Sequence, residues 1–193
     1  MTRFNGEWHD ARMAKTSDRE LLLARFTAGE PLRVLVVTLS DRASKGVYED
    51  KSGPKLREHV DAHFSKAGVP TMIETTVMPD DADRFRERLI AARDGGAHEV
   101  FTTGGTGLGS RDDTPAVVLE TADKVIPGIM DLVRLKYGAD KPCALISRSV
   151  AAILGRTVVY VLPGSSKAVD EYMEEVLKSI DHVICTVHDL DVH

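Results

Sequence analysis

A glycine-rich segment, residues 101–115, joins a predicted strand to a predicted helix and constrains the fold more than any other stretch of the chain. Residues 98–100, just before it, become increasingly apolar, as at the entry to a strand. After it, Thr114 is predicted to cap a helix that has Pro115 at its first position. A strand, a glycine-rich turn and a helix, in that order, suit an α/β fold whose turn binds an anion.

The glycines of this segment permit positive φ angles and let the backbone approach a ligand closely. The four glycines are Gly104, Gly105, Gly107 and Gly109, and the polar side chains among and beside them are Thr102, Thr103, Thr106, Arg111, Asp112 and Asp113. A P-loop would need a lysine directly after Gly109, and a dinucleotide-binding loop would need a glycine at Ser110, so neither fingerprint is present. We therefore expect a site for phosphate or another anion, with a flexible connection as the alternative.

Strands and helices alternate along the rest of the chain. Residues 33–40 form a near-continuous apolar run, typical of a strand buried on both faces, and residues 71–78 and 157–162 are predicted strands as well. Residues 147–153 fit either a helix or a strand. A single final helix is predicted to pack on the core through Val169, Tyr172, Met173, Val176, Leu177 and Ile180. This alternation predicts a three-layer α/β/α sandwich with a mostly parallel sheet.

The 193 residues are expected to form one α/β domain, residues 31–193, preceded by an N-terminal extension, residues 1–30. The composition, 42% hydrophobic and 28% charged residues, permits a buried core and argues against global disorder. Within the extension, Ser17 and Glu20 have the spacing of a capping box, which predicts a short helix from about residue 17 to residue 27.

Charge and cysteine content limit the classes of partner. A formal net charge of -5 argues against binding nucleic acid by bulk electrostatics, and no apolar run approaches the ~20 residues that span a bilayer. The N-terminus lacks the apolar stretch of a signal peptide. Cys143 and Cys185 form neither a disulfide framework nor a C-x-x-C pair. We expect a cytoplasmic protein with no membrane partner and no nucleic-acid partner.

Polar residues follow several of the predicted strands, where the loops of a parallel sheet open on one edge. They are Ser40, Asp41 and Arg42 after the first strand, Asp80 and Asp81 after the second, residues 103–113 after the third and residues 163–167 after a later one. Carboxylates beside a phosphate-binding loop repel the phosphate unless a cation intervenes, so Asp80 and Asp112 suggest Mg²⁺ between protein and phosphate. In the alternative, the aspartates of these loops only cap the helices that follow.

A second candidate, His59 and His63, has the i, i+4 spacing of a metal pair. The intervening residues lack the glutamate of a zinc protease motif, and a solvated helix face is the preferred interpretation.

Several motifs together resemble the molybdenum-cofactor biosynthesis family that includes MogA-like and MoaB-like proteins and the gephyrin G domain. The matching segments, which occur in the family's order within residues 32–180, are residues 40–44, 46–50, 78–80, 103–107, 111–115, 126–128, 145–148 and 162–164. The chain departs from the family at Lys124 and Val125, where many members carry an acidic residue before the Ile-Pro-Gly segment.

The resemblance implies a three-layer α/β sandwich that assembles as a homotrimer. It implies transfer of AMP from Mg-ATP to the terminal phosphate of molybdopterin, with release of pyrophosphate, and use of the product by a molybdate-insertion enzyme. The alternatives are a non-catalytic, MoaB-like paralog that binds molybdopterin or a nucleotide, and an oligomeric scaffold module.

The resemblance also implies roles for individual residues. Asp80 and Asp112 fall on the two essential aspartates of the family, and we expect both to be catalytic and to hold Mg²⁺. The expected substrate-binding residues are Ser40, Asp41, Arg42, Thr103, Gly104, Gly105, Thr106, Gly107, Arg111, Ser147, Pro163, Gly164 and Ser165.

Overall fold

The computed structural model of the protein describes residues 16–190. A six-stranded sheet runs through its centre in the order β2-β1-β3-β6-β5-β4. The strands are β1 (Leu32–Leu39), β2 (Thr71–Met78), β3 (Glu99–Thr103), β4 (Lys124–Val125), β5 (Ala151–Leu154) and β6 (Thr157–Leu162). The three pairings among β2, β1, β3 and β6 are parallel, and the two that involve β5 are antiparallel. The predicted mostly parallel sheet is confirmed.

Helices cover both faces of the sheet. They are α1 (Asp18–Arg25), α2 (Asp41–Ser44), α3 (Ser52–Ala67), α4 (Ala82–Asp94), α5 (Thr114–Thr121), α6 (Pro127–Gly138), α7 (Ser166–Val176) and α8 (Ile180–Val187), with a short 3-10 helix at Pro142–Ala144. One core lies between the sheet and α1, α3, α6, α7 and α8. A second core lies between the opposite face and α4 and α5. These two cores give the three layers that were predicted.

The burial of each strand follows its place in the sheet. β1 lies between β2 and β3, and seven of its eight residues are buried, because its apolar side chains point into both cores. β2 is an edge strand whose residues alternate between exposed and half-buried for most of its length. The ends of β1, β3 and β6 therefore lie side by side, with loops that open on one edge.

The N-terminal helix is confirmed within one or two residues of its predicted bounds. Ser17 and Glu20 form the predicted capping box at the start of α1. Leu22 and Phe26 are buried, and the Arg19 guanidinium donates to the carbonyl oxygens of Lys66 and Ala67. The division of the chain at residue 30 stays a prediction, and residues 1–15 and 191–193 lie outside the described part.

Two sequence-based expectations are corrected by the structure, and one open alternative is decided. The final helix is two helices, because the hydrogen bonds at Lys178 and Ser179 tighten to a spacing of three residues and end α7. For residues 147–153, where a helix and a strand were both open, the structure has the strand: these residues lead into β5, which forms an antiparallel hairpin with β6 around Gly155. Thr114 is already helical and Asp113 takes the cap position of α5, because the Thr114 hydroxyl lies against Gly105.

Candidate functional site

The loops after β1 and β2 are joined by a reciprocal pair of hydrogen bonds between two aspartates. The backbone N–H of Asp41 donates to Asp80 Oδ2 at 3.0 Å, and the N–H of Asp80 donates to Asp41 Oδ1 at 3.3 Å. The N–H of Ser40 also donates to the Met78 carbonyl at 2.9 Å. Because both carboxylates accept from backbone, their positions are set by the ends of the strands.

Arg111 brings the glycine-rich segment to the same place. Its guanidinium lies 2.5 Å from Asp41 Oδ2 and donates to the carbonyl oxygen of Asp80 at 3.0 Å. The side chain is 63% exposed, so a ligand can reach it. The structure thus unites three of the predicted residues, Asp41, Asp80 and Arg111, in one charge cluster.

The structure distinguishes the aspartates that cap helices from those that do not. Asp81 caps α4 by accepting from the N–H of Arg84 at 3.1 Å, whereas Asp80 faces Asp41. Asp112 Oδ2 accepts from the N–H of Gly109 at 2.8 Å, and Asp113 occupies the cap position of α5 without a capping bond from its side chain. Capping therefore accounts for Asp81 and not for Asp80 or Asp112.

Glycine is required where the loops after β1, β3 and β6 meet. Gly104 has a φ of +108°, and a Cβ there would lie 2.1 Å from the carbonyl oxygen of Leu39. A Cβ on Gly164 would lie 3.3 Å from the Cα of Gly104. Thr103 Oγ1 donates to the Pro163 carbonyl at 2.8 Å and ties two of these loops together. The backbone N–H groups of the turn can thus come close to a phosphate.

Arg148 is a residue of this site that sequence reasoning did not select. Its backbone N–H donates to the Thr106 carbonyl at 3.0 Å, and its guanidinium donates to the carbonyl oxygens of Gly107, at 2.9 Å, and Asp112. Arg148 therefore holds the second half of the glycine-rich segment. In the sequence, Arg148 could be found only through its place in a motif of the resembled family, because it belongs to no spacing pattern.

A cleft of about 370 Å³ opens beside the glycine-rich segment, on the side of β6. Five of the predicted substrate-binding residues line it: Thr106, Gly107, Ser147, Pro163 and Ser165. Lys141 and Lys167 also line it, together with Glu171, which is paired with Lys141. Its volume is in the range of small-molecule sites. A slightly larger cleft of about 420 Å³ involves Arg33 and Met72 near the opposite ends of their strands, away from these residues.

The carboxylates fit a metal that is shared with a ligand better than a metal held by protein alone. Within residues 16–190, no group of three or more histidines, cysteines, aspartates or glutamates is placed to hold a metal ion. Mg²⁺ typically binds through one or two carboxylates together with substrate phosphates. Asp80, which has one oxygen without a hydrogen bond from the described residues, suits that role.

The histidine pair of α3 has a structural role in place of the predicted solvated face. His59 Nε2 lies 2.8 Å from Asp170 of α7, and His63 Nε2 lies 2.7 Å from Asp181 of α8. Each imidazole thus links α3 to a neighbouring helix.

Fold and site together define a class of protein. The sequence model of a family described as a probable molybdopterin binding domain matches residues 35–182. The chain belongs to this family. The loops described above, from Ser40 to Ser165, all lie within the matched residues.

Individual relatives support the same conclusion. The chain is 36% identical to the molybdopterin adenylyltransferase of Escherichia coli K12 over 154 residues, which are 79% of this chain and 77% of that enzyme. It is 38% identical to the Haemophilus influenzae molybdopterin adenylyltransferase over 147 residues, 75% and 73% of the two chains. A solved MogA structure superposes with a TM-score of 0.74 at 30% identity, over 80% of this chain and 99% of that one. MoaB from Thermus thermophilus gives 0.72 at 34% identity, over 82% and 97%.

Proposed function

We propose that this protein transfers AMP from Mg-ATP to the terminal phosphate of molybdopterin and releases pyrophosphate. One observation carries the proposal: the glycine-rich turn, Asp112 and the Asp41–Asp80–Arg111 cluster share one edge of the sheet, next to an open cleft. The two relatives named molybdopterin adenylyltransferase support it.

The reaction is an in-line displacement between two anions, so the protein has to position phosphates and neutralise charge. The N–H groups of residues 105–107 would bind phosphate oxygens, since the N–H of Gly104 donates to the Leu162 carbonyl at 3.0 Å, and Arg111 would supply positive charge to them. Asp80 and Asp112 would hold Mg²⁺, which would supply positive charge to neutralise the phosphates. The reciprocal bonds with Asp41 would keep Asp80 in one orientation before the substrates arrive.

The remaining predicted substrate-binding residues have proposed places around this centre. Ser147, Pro163, Gly164 and Ser165 would line the molybdopterin side, and three of them, Ser147, Pro163 and Ser165, line the cleft beside Gly107. Thr103 would act indirectly, since its hydroxyl is committed to the Pro163 carbonyl.

The test is formation of adenylylated molybdopterin from purified protein, Mg-ATP and molybdopterin, read by mass. Product should form with Mg²⁺ and disappear when the metal is removed. The Asp112→Ala variant should bind molybdopterin without forming product. Full activity in that variant would contradict the assignment of Asp112.

A MoaB-like binding paralog is the second candidate, and the description of the family as a probable molybdopterin binding domain is what favours it. It predicts tight binding of molybdopterin with no product in the same assay. The retention of both aspartates and of the glycine-rich turn favours the transferase.

We also propose the homotrimer and the downstream molybdate-insertion enzyme that the family resemblance implies, together with action in the cytoplasm. Sedimentation equilibrium tests the assembly, because a trimer gives three times the mass of the chain. The structure adds one finding on membranes: no helix in residues 16–190 is long and apolar enough to cross one.

A further inference from the structure

An exposed cation–π pair, Arg42 and Tyr48, lies beside the carboxylate cluster. The guanidinium carbon of Arg42 is 5.0 Å from the centre of the Tyr48 ring, and the tyrosine is 43% exposed. Within residues 16–190, the Arg42 guanidinium makes this ring contact and has no hydrogen bond or ion pair. The guanidinium lies over one face of the phenol ring, and an aromatic ring can stack on the outer side of such a pair.

The pair is anchored to the residues that hold the phosphate-side charges. The Tyr48 hydroxyl lies 3.2 Å from Ser40 Oγ, and Ser40 Oγ accepts from the N–H of Ala43 at the start of α2. The next residue, Asp41, exchanges hydrogen bonds with Asp80. A ring that stacks on Tyr48 therefore lies on the same loop as the carboxylate cluster.

The order of the strands separates this surface from the cleft. Ser40 and Asp80 follow β1 and β2, whereas Pro163 and Ser165 of the cleft follow β6. The sheet order β2-β1-β3-β6 puts the glycine-rich turn, which follows β3, between them. Two substrates that react at the turn can approach it from opposite sides, one from the cleft and one from the loop of Tyr48.

We propose that the Arg42–Tyr48 pair is the surface on which the purine ring of the nucleotide stacks. The inference rests on the proposed function, which supplies a nucleotide as one substrate. The purine lies on the ring of Tyr48, and the phosphates extend from it past Asp80 to the glycine-rich turn. Stacking gives affinity without reading the edge of the base, so the surface does not discriminate adenine from guanine.

The test uses calorimetric titration with two probes, one with a nucleoside and one without. They are the magnesium complexes of α,β-methylene ATP and of inorganic tripolyphosphate. Tyr48→Ala should weaken binding of the ATP analogue roughly tenfold, because one stacked base is lost, and should leave tripolyphosphate within about twofold. Tyr48→Phe keeps the ring and loses only the contact with Ser40, so it should bind the analogue like the wild type. Val47→Ala, at a neighbouring residue that is 69% exposed, is the matched control and should change neither probe.

Other outcomes overturn the inference. Equal loss of both probes in Tyr48→Ala would mean that the tyrosine only holds the loop in place. Weaker binding of molybdopterin, with the analogue unaffected, would assign the surface to the pterin. If the wild type does not bind the analogue, a nucleotide is not the ligand of this surface.

The binding test separates this inference from the proposed function. If Tyr48→Ala loses affinity for the analogue and the wild type makes no adenylylated product, the stacking surface stands and the transferase assignment falls. If the wild type makes product and Tyr48→Ala keeps the wild-type KM for ATP, the transferase stands and the stacking surface falls.

Discussion

The two ends of the sheet use polar residues in opposite ways. At the carboxyl ends of the strands, Asp41, Asp80 and Arg111 are partly exposed and paired with one another. At the amino ends, His98 is 8% exposed and Glu99 is fully buried, and neither carboxylate oxygen of Glu99 has a hydrogen-bond partner among the described residues. Both ends look polar in the sequence, but at the amino ends the side chains of His98 and Glu99 are buried.

Burial has measurable consequences at the amino end. His98 accepts a hydrogen bond from the N–H of Arg33 and packs edge-on against Phe26 and His188. Burial, with His188 and Arg33 as further causes, lowers the pKa of His98 to about 4. Burial alone raises the pKa of Glu99 well above its ordinary value of 4.5. Burial favours the uncharged forms of His98 and Glu99, so a polar residue next to a strand indicates a site only where solvent and counter-charges reach it.

The largest expected effect is a difference between two neighbouring aspartates, Asp80 and Asp81, at the carboxyl end of β2. Asp80→Asn should lower product formation by at least about a hundredfold, because it removes a charge proposed to hold the metal at the phosphates. Asp81→Asn should leave activity within about threefold, since Asp81 caps α4 and asparagine is an equally good cap. Steady-state rates of the two variants test this prediction, and equal rates would contradict the catalytic assignment of Asp80.

A second contrast tests the meeting of three loops. Gly104→Ala should destabilise the protein by roughly 3 kcal/mol, because the new methyl group meets the Leu39 carbonyl at a strained φ. Gly46→Ala, also at a positive φ but with open space around it, should cost only about 1 kcal/mol. Urea unfolding measures both values, and equal costs would mean that the loops separate easily.

Burial of Glu99 at the amino ends of the strands should affect the pH dependence of stability. Because the pKa of Glu99 is raised in the folded state, the unfolded chain releases its proton first as the pH rises above 4.5, and stability falls with pH. Glu99→Gln should remove this fall, so the variant gains over the wild type by up to about 1.4 kcal/mol per pH unit above 4.5. Unfolding free energies of the wild type and of Glu99→Gln between pH 5 and pH 8 test this prediction. A difference between the two proteins that does not change with pH would contradict it.

His98 should have a smaller effect of opposite sign. Its pKa is depressed, so the unfolded chain takes up the proton first as the pH falls below 6.5, and stability is lost down to about pH 4. His98→Asn keeps an acceptor for the Arg33 N–H and should be less sensitive to acid than the wild type, by about 1–2 kcal/mol at pH 5. Urea unfolding at pH 5 and pH 7 gives the difference, and an imidazole that titrates near 6.5 by NMR would refute the cause.

Those parts of the fold that rest on strong local patterns were predictable from the sequence. The apolar run of β1 and the polar residues after it identified both a buried strand and the loop that carries Ser40 and Asp41. The glycine-rich turn was recognisable because its polar residues exceed what a simple connection needs. These features are local, so one chain segment contains the whole signal.

The parts that depend on contacts between distant segments were not predictable. The exchange of hydrogen bonds between Asp41 and Asp80 needs β1 and β2 to be neighbours in the sheet. The role of Arg148 depends on the path of the chain through β5, whose short strand has no clear period. The end of α7 near Lys178 leaves the apolar period unchanged, so a single helix was the natural interpretation.

Arg111 gives the site a counter-ion of its own. A cation that approached Asp41 would compete with this guanidinium, which lies 2.5 Å from Asp41 Oδ2. If such a cation displaced it, the guanidinium would stay on the glycine-rich segment, where it could pair with an anion. The carboxylate would then have a counter-charge both before and after the exchange.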